Sequence, residues 1–553
     1  MTSFTNYLKS RLLWRPPVEA DPRELSKRHK LAILVCLALC GSTAGFASTI
    51  YFPGLPAITA DFNAPAIATT LTAAFYVLFM GMAPVVWAAL SDALRVRRFI
   101  LLLAIIIFTA ASIGAAFVNN IWGLLVLRIV QAIGASSGFS VGGVCNFTNF
   151  YVILFSLSIG SKLGIIADCY PIEERGAAFG KFYFGVFIGP LVGPILGGFL
   201  IMSPMSWRAT FLFSFAFGAF IILCLFFTCP ETFRDGQIWD NLKLPTISIV
   251  DSFDPKAYGL RVPEEDSLRR NSRHSMDSNT ITHEEKKVAE EAEYAHASND
   301  VHLKNSTAPS FEQPQHPLDA KTVVGTEKKM LSNPFAGVTL LRHPFILLSA
   351  LVSSFAFGSM FTIESLIPGL FEENYGFISW QTGLSFLGAG VGNVIGSICQ
   401  SGLSDRLLLR SRRLRGGVAE VEDRLTLNLW PASICVLFGC LLWGWSIESR
   451  MTYWAPIVGF GIMNFGMNQS MTATSAYIVD AVPGSAAAAA SAASNLLRMV
   501  FACVLTIIAE PLNKAVGPGY TSLLLAALNL LGLLCLVVVK IWGPQMRKYS
   551  GYA

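Results

Sequence analysis

Charge is scarce in this sequence. Only 14% of its 553 residues are Asp, Glu, Lys or Arg, against 53% hydrophobic. A soluble chain of that length needs more charge to cover its surface, so a set of soluble domains is set aside. Paired cysteines are also missing. The eleven Cys show no paired spacing, and Cys36, Cys40, Cys224 and Cys535 lie inside apolar runs. They read as small buried hydrophobes rather than a disulfide framework or a metal site. There is no Gly-x4-Gly-Lys-Ser/Thr loop, which disfavours ATP-driven pumping by this chain alone, and no His-Glu-x-x-His or Cys-x-x-Cys, which disfavours a membrane metalloenzyme. The net charge of +5 is small and its basic residues are scattered at the edges of apolar runs, so no nucleic-acid footprint forms. The first thirty residues are polar and basic and carry no small-residue cleavage site. The first apolar run is expected to act as its own insertion signal.

What the sequence has is apolar runs of bilayer length. They predict helices near 31–50, 67–90, 99–118, 121–143, 179–201, 211–228, 344–368, 382–400, 428–447, 453–479, 486–510 and 520–542. Each reaches roughly 20 residues, enough to cross the hydrocarbon core, and Gly and Pro inside them do not exclude helix. The expected fold is an all-α membrane protein of twelve transmembrane helices in two six-helix halves. Its parts are a cytoplasmic tail 1–30, an N-terminal half 31–229, a disordered cytoplasmic loop 230–340, a C-terminal half 341–542 and a cytoplasmic tail 543–553. The central loop is too polar to bury the surface that would offset its ordering entropy.

Basic residues at span edges set the orientation. Arg95, Arg97 and Arg98, then Arg406, Arg410, Arg412, Arg413 and Arg415, then Arg547 and Lys548 mark one side, while Asp61, Glu372, Glu373 and Glu448 mark the other. Both termini and the central loop are then cytoplasmic. One segment does not fit. From Ile121 to Ile166 the chain is almost wholly apolar, and 144–163 is long enough for a thirteenth crossing. Three readings stay open: an over-long or re-entrant fourth helix, a real extra span, or a segment foreign to the working protein, such as a translated intron.

The halves echo each other. Leu90-Ser91-Asp92 follows the second span and Leu403-Ser404-Asp405-Arg406 the eighth; Asp168-Cys169-Tyr170-Pro171 follows the fourth and Asp480-Ala481-Val482-Pro483 the tenth. Both pairs lie about 312 residues apart. Duplicated membrane halves suit alternating access with substrate held near the midplane, although duplication also occurs in channels.

Several motifs carry a family likeness. The loop after span 2 has Leu90, Ser91 and Asp92 followed by Arg97 and Arg98. Span 4 has Arg128-x2-Gln131, an Arg inside a membrane helix and so a cavity-facing functional candidate. Span 5 has Gly180, Gly189, Gly193, Pro194, Gly197 and Gly198, of which Gly189, Gly193 and Gly197 recur every four residues and form a seam for close helix approach. Span 6 ends Pro230-Glu231-Thr232-Phe233. Together these resemble the major facilitator superfamily, and within it the fungal twelve-span drug:proton antiporters. Ala88 and Arg95 replace the two Gly of the family's first signature and Ala93 its first Arg. The resemblance implies export driven by the proton gradient, no bound cofactor or metal, and cytoplasmic gating residues at Asp92, Arg97, Arg98, Asp168, Arg175, Asp405, Arg406 and Asp480. It implies proton coupling at Arg128 and an antiporter seam in span 5. Joining Gly142 or Gly143 to Leu163 or Gly164 restores the family's spacing into Asp168, Pro171, Arg175 and Gly176, which favours the foreign-segment reading of 144–163.

A proton-coupled carrier needs a titratable group. The acids available are Glu364, deep in span 7, and Glu510, at the end of span 11, with Arg128 and Arg498 as cations. Glu364 is the first candidate for carrying the proton; pairing with Arg498 is its structural alternative. Asn464 and Asn468 share a face of span 10 beside Gln469 and, with Gln131, Tyr76 and Phe361, are cavity candidates; interhelical bonding and packing explain them equally well. The expected partners are a small-molecule substrate, protons and lipid, with the chain acting as a monomer. The plasma membrane is the expected location and a vacuolar or other internal membrane the alternative. Proton-driven uptake, facilitated transport and a non-transporting sensor on the same scaffold remain as rival functions.

Overall fold

Backbone groups inside a bilayer find no water, so each apolar run must satisfy its own N–H and C=O groups, and helix is the local solution. The computed structural model describes residues 21–94, 96–138, 165–170, 172–232, 336–414, 420–425, 428–482 and 486–552. All of them fall in one unit, Met1–Gly236 with Thr326–Ala553. Among the described residues there are helices and no strand. The long ones are α1 Lys27–Thr49, α2 Ala66–Leu94, α3 Arg98–Phe117, α4 Ile121–Ala135, α5 Ile172–Ile201 and α6 Arg208–Thr228, then α7 Pro344–Tyr375, α8 Leu387–Leu414, α9 Leu429–Glu448, α10 Trp454–Ala481 and α11 Ala486–Tyr549. Among the described residues, eight helical stretches are long and apolar enough to cross a membrane. α10 is not among them; it carries the buried amides Asn464, Asn468 and Gln469.

The run α11 is two helical arms. They break at Gly517, whose φ of 81° is open to glycine but strained for other residues, and Pro518 follows. Glu448 at the end of α9 holds the break by accepting the Gly519 N–H at 3.2 Å.

Several boundaries differ from those expected. The basic stretch after the eighth span is not simply a loop: α8 continues to Leu414, with Arg406, Arg410 and Arg413 exposed along its final turns. Leu and Arg are good helix formers, and a polar helix can run on past the bilayer. The expected C-terminal tail is helical to Tyr549. α8 is preceded by a separate short helix, Ser379–Ser385. The expected central loop ends in a 3-10 turn, Ala336–Arg342. Residues 233–335 of that loop, and the odd segment 144–163, lie outside the described residues.

Neighbour relations repeat along the chain. α1 packs on α5 as α7 packs on α11; α2 on α4 as α8 on α10; α3 on α4 as α9 on α10; α3 on α6 as α9 on α11. Small residues allow the closest approaches. A side chain at Gly134 would lie 2.6 Å from the Ala104 carbonyl oxygen of α3, and one at Gly439 would lie 2.7 Å from the Gly459 carbonyl oxygen of α10. The first set of helices meets the second most extensively in two places. α2 runs along α11, with Met499 filling the notch left by Gly81, and the end of α5 packs on Ser379–Ser385, where Phe199 stacks on Trp380 at 6.1 Å.

Candidate functional site

The interior holds many Ser and Thr hydroxyls and a smaller number of charged and amide side chains, and each of the latter needs a partner or a reason. Arg128 on α4 is 1% exposed. Its Nη1 donates to the Ala47 carbonyl of α1 at 2.9 Å and to Gln131 Oε1 at 2.8 Å. Gln131 Nε2 donates onward to Ser112 Oγ at 2.8 Å, which donates to the Phe108 carbonyl at 2.7 Å. The i, i+3 spacing of Arg128 and Gln131 puts both on one face of α4, so this relay links α1, α4 and α3. The guanidinium also lies 4.3 Å from the Tyr51 ring centre and 4.0 Å from that of Tyr76. Such contacts are favourable when both partners are desolvated. Tyr76 donates its hydroxyl to the Ala44 carbonyl at 3.0 Å. Arg128 Nε and Nη2 are buried without a hydrogen-bond partner, and among the described residues no carboxylate pairs with this cation.

The second group of helices contributes Glu364, Arg498 and a ring cluster. Glu364 on α7 is 6% exposed, and its Oε2 is buried without a partner. It makes no ion pair with Arg498, which is 4% exposed, bonds to Asn495 on its own helix and lies 5.1 Å from the Phe357 ring centre. Phe361 packs on Phe357 at 5.0 Å and on Phe52 at 6.4 Å, and Phe52 stacks on Phe386 at 6.2 Å. Phe52 follows Tyr51 in the chain, so the backbone there links the ring cluster to the Arg128 neighbourhood.

Other sequence candidates sit elsewhere. Glu510 is half-buried on α11 and pairs with Lys514 at 3.0 Å, one helical turn away. Asn464 accepts from Asn393 of α8 at 3.1 Å, and Gln469 accepts from Asn428 at 3.0 Å, so both serve interhelical bonds in this structure. Asn468 is buried, with its Cβ where a side chain at Gly396 would strike it. A cavity of about 1050 Å³ opens between α8, α9 and α10, lined by Val391, Ile395, Phe438, Trp454 and Val458. These residues are exposed on the outer face of the helices, and the cavity contains none of the ionisable candidates.

The glycine seam of α5 is pressed against α1. A side chain at Gly189 would lie 2.7 Å from the Ser42 carbonyl oxygen; at Gly193 and Gly197 it would strike Thr49 and the Ile50 carbonyl. Gly198 faces the other way, against Ser379 and Trp380. Pro194 is buried in the same helix, and Gly180 lies in its first turns.

At the predicted cytoplasmic ends, Arg97 and Asp168 form a buried ion pair at 3.2 Å, and Arg97 Nη1 reaches Ser91 Oγ at 3.1 Å. Glu231, which sequence reasoning quoted as part of a motif but gave no role, accepts the Arg97 and Arg98 backbone N–H groups at 2.9 and 3.2 Å. Its carboxylate thus caps α3, where the unpaired N–H groups and helix dipole favour an anion. The second set of helices has a counterpart. Arg424 pairs with Asp480, and Arg547 makes a two-pronged contact with Glu422 at 2.9 Å through both bonds. Glu422 and Arg424 escaped notice because they sit in what reads as a basic loop. Asp92, Arg175 and Asp405 are placed on α2, α5 and α8.

The sequence profile of the Major Facilitator Superfamily matches residues 37–151 and 147–506. The chain belongs to the Major Facilitator Superfamily. Its relatives include the MFS antiporter QDR3 of Candida albicans, 25% identical over 96% of this chain and 80% of the relative. Citrate exporter 1 of Aspergillus niger is 26% identical over 96% of this chain and 89% of the relative. Among solved structures, a D-xylose-proton symporter matches 92% of this chain and 96% of its own with a TM-score of 0.55 and 13% identity, a likeness of fold. This superfamily member is an integral membrane transporter of the secondary class and not an enzyme.

Proposed function

We propose that this transporter is a proton-coupled antiporter that exports small organic molecules, such as drugs, toxins or secondary metabolites, by alternating access. Its frame is twelve spans in two six-helix halves. The recurring neighbour pairs of the fold support that frame, as do the contacts, chiefly α2 on α11 and α5 on Ser379–Ser385, that join one half to the other. The observation that carries proton coupling is Glu364. It is a carboxyl group buried in a membrane helix with one oxygen unpartnered and no cation paired to it. An isolated carboxylate is costly in such a place, which suits a group that gains and loses a proton during the cycle. The α5 seam supports the antiporter branch, and the names of the two fungal relatives, one an antiporter and one a citrate exporter, agree with this reading. The cytoplasmic ion pairs hold loops at the ends of the helices that must move, and the plasma membrane is the site of action, with the chain working as a monomer.

Cells lacking their own exporters supply the test. Expression of this chain should lower accumulation of its substrate, and a protonophore should restore it. Accumulation that is unchanged across a broad panel of organic solutes refutes the proposal. A version lacking 144–163 that matches or exceeds the full chain identifies that segment as dispensable.

A further inference from the structure

Among the described residues, the buried charges of the transmembrane core do not balance. Two guanidinium groups, on Arg128 and Arg498, are set against one carboxyl group, on Glu364, and no ion pair joins any of the three. A desolvated, permanently charged guanidinium without a counter-ion is costly, and fixed protein dipoles relieve only part of that cost. Arg128 has partial relief from two hydrogen bonds and two tyrosine rings at about 4 Å, although its Nε and Nη2 are also unpartnered. Arg498 has far less. Its one hydrogen-bond partner is Asn495, three residues back on its own helix, and one ring, that of Phe357, lies in cation–π range. Its Nε is buried and unpartnered.

The surroundings of Arg498 are also shaped. Phe357, Phe361 and Glu364 follow one another at i, i+4 and i+7, so they share one face of α7. Phe361 continues into Phe52 and Phe386, which stack nearly parallel at 14°. One end of this arrangement is a cation with an unused donor; the rest is a wall of flat rings.

We propose that Arg498, with Phe357 and Phe361, forms a subsite for an organic anion, and that the transported substrate carries a carboxylate attached to a flat, unsaturated body. The carboxylate accepts from Arg498 Nε and supplies the missing counter-charge. The flat body stacks along Phe357 and Phe361, where offset or edge-on ring contacts add to apolar burial. This inference rests on the transport reading for the word substrate; the subsite itself does not.

Binding to the purified full-length protein tests it. Three arenecarboxylates (benzoate, cinnamate and 2-naphthoate) are compared by calorimetry with their primary amides, which have the same shape and no charge. The acids should bind about 30-fold more tightly than the amides, the worth of a charge-assisted hydrogen bond in a desolvated site. Arg498→Gln should erase that difference while leaving amide binding in place, and Arg498→Lys should keep part of it. If Arg498→Gln does not fold, the acid–amide comparison on the natural protein and the lysine variant still decide. The proposal is overturned if amides or the matching amines bind as well as the acids, if no arenecarboxylate binds, or if Arg498→Gln keeps the preference. Protein that binds these acids selectively but moves no solute in vesicles refutes the transport reading and leaves the subsite standing.

Discussion

Replacing Gly189 with Ala adds one methyl group at the α1–α5 seam, and the structure says what it meets. The new carbon would lie 2.7 Å from the Ser42 carbonyl oxygen and 3.0 Å from the Phe46 amide nitrogen. Both are backbone atoms of α1, so neither can swing aside as a flexible side chain does. Carbon and carbonyl oxygen sit comfortably at about 3.3–3.6 Å, so the two helices must part by several tenths of an ångström. Gly193 and Gly197 ride the same seam, and each is already against α1, so the displacement spreads along the interface. Overpacking of this kind costs about 1–3 kcal/mol. Gly369 on α7 is the matched control, because nothing lies within 4 Å of a side chain there. Gly369→Ala should gain about 0.5–1 kcal/mol of helix propensity. Gly189→Ala gains the same propensity, so the two single-methyl changes should differ by the overpacking alone, about 1–3 kcal/mol, or about fivefold to a hundredfold in the folding equilibrium. Denaturation of the purified protein in one detergent measures it. Equal midpoints for the two variants, or a more stable Gly189→Ala, would refute the seam argument.

Two further predictions concern the helix ends expected to lie on the cytoplasmic side. Glu231→Ala leaves the first N–H groups of α3 without their acceptor and should cost about 1–3 kcal/mol, with Glu231→Gln milder because one oxygen remains; thermal unfolding reads both. Arg547→Ala strands the buried Glu422 carboxylate and should cost about 3–5 kcal/mol, whereas Arg547→Ala combined with Glu422→Gln should cost clearly less than the two changes summed; a double-mutant cycle that shows simple additivity would contradict the pairing.

Helix existence was legible because a run of about 20 apolar residues has one stable form in lipid. The glycine spacing of α5 was legible for a related reason: Gly189, Gly193 and Gly197 at four-residue intervals must share a face, and that face lies on α1. Helix ends were less readable. Hydropathy marks where a chain leaves the bilayer and not where its helix stops, so α8 outran its span to Leu414 and α11 outran its own to Tyr549. Long-range partners were least readable. Nothing local in the sequence joins Glu231 to the start of α3, or Arg547 to Glu422 at a separation of 125 residues. The amides of α10 show the reverse limit. Asn464 and Asn468 share a face as expected, yet Asn464 is bonded to Asn393 of α8, an interhelical role that spacing alone could not separate from a cavity role.

The central claim is proton-coupled transport through Glu364, and proton movement in sealed vesicles tests it most directly. Purified protein is reconstituted with a pH-sensitive dye inside and an imposed pH gradient, and candidate substrates are added in turn. The account predicts that a substrate accelerates proton movement, and that Glu364→Gln abolishes the acceleration while still folding with an ordinary unfolding midpoint. Substrate-driven proton movement that persists undiminished in Glu364→Gln would contradict it.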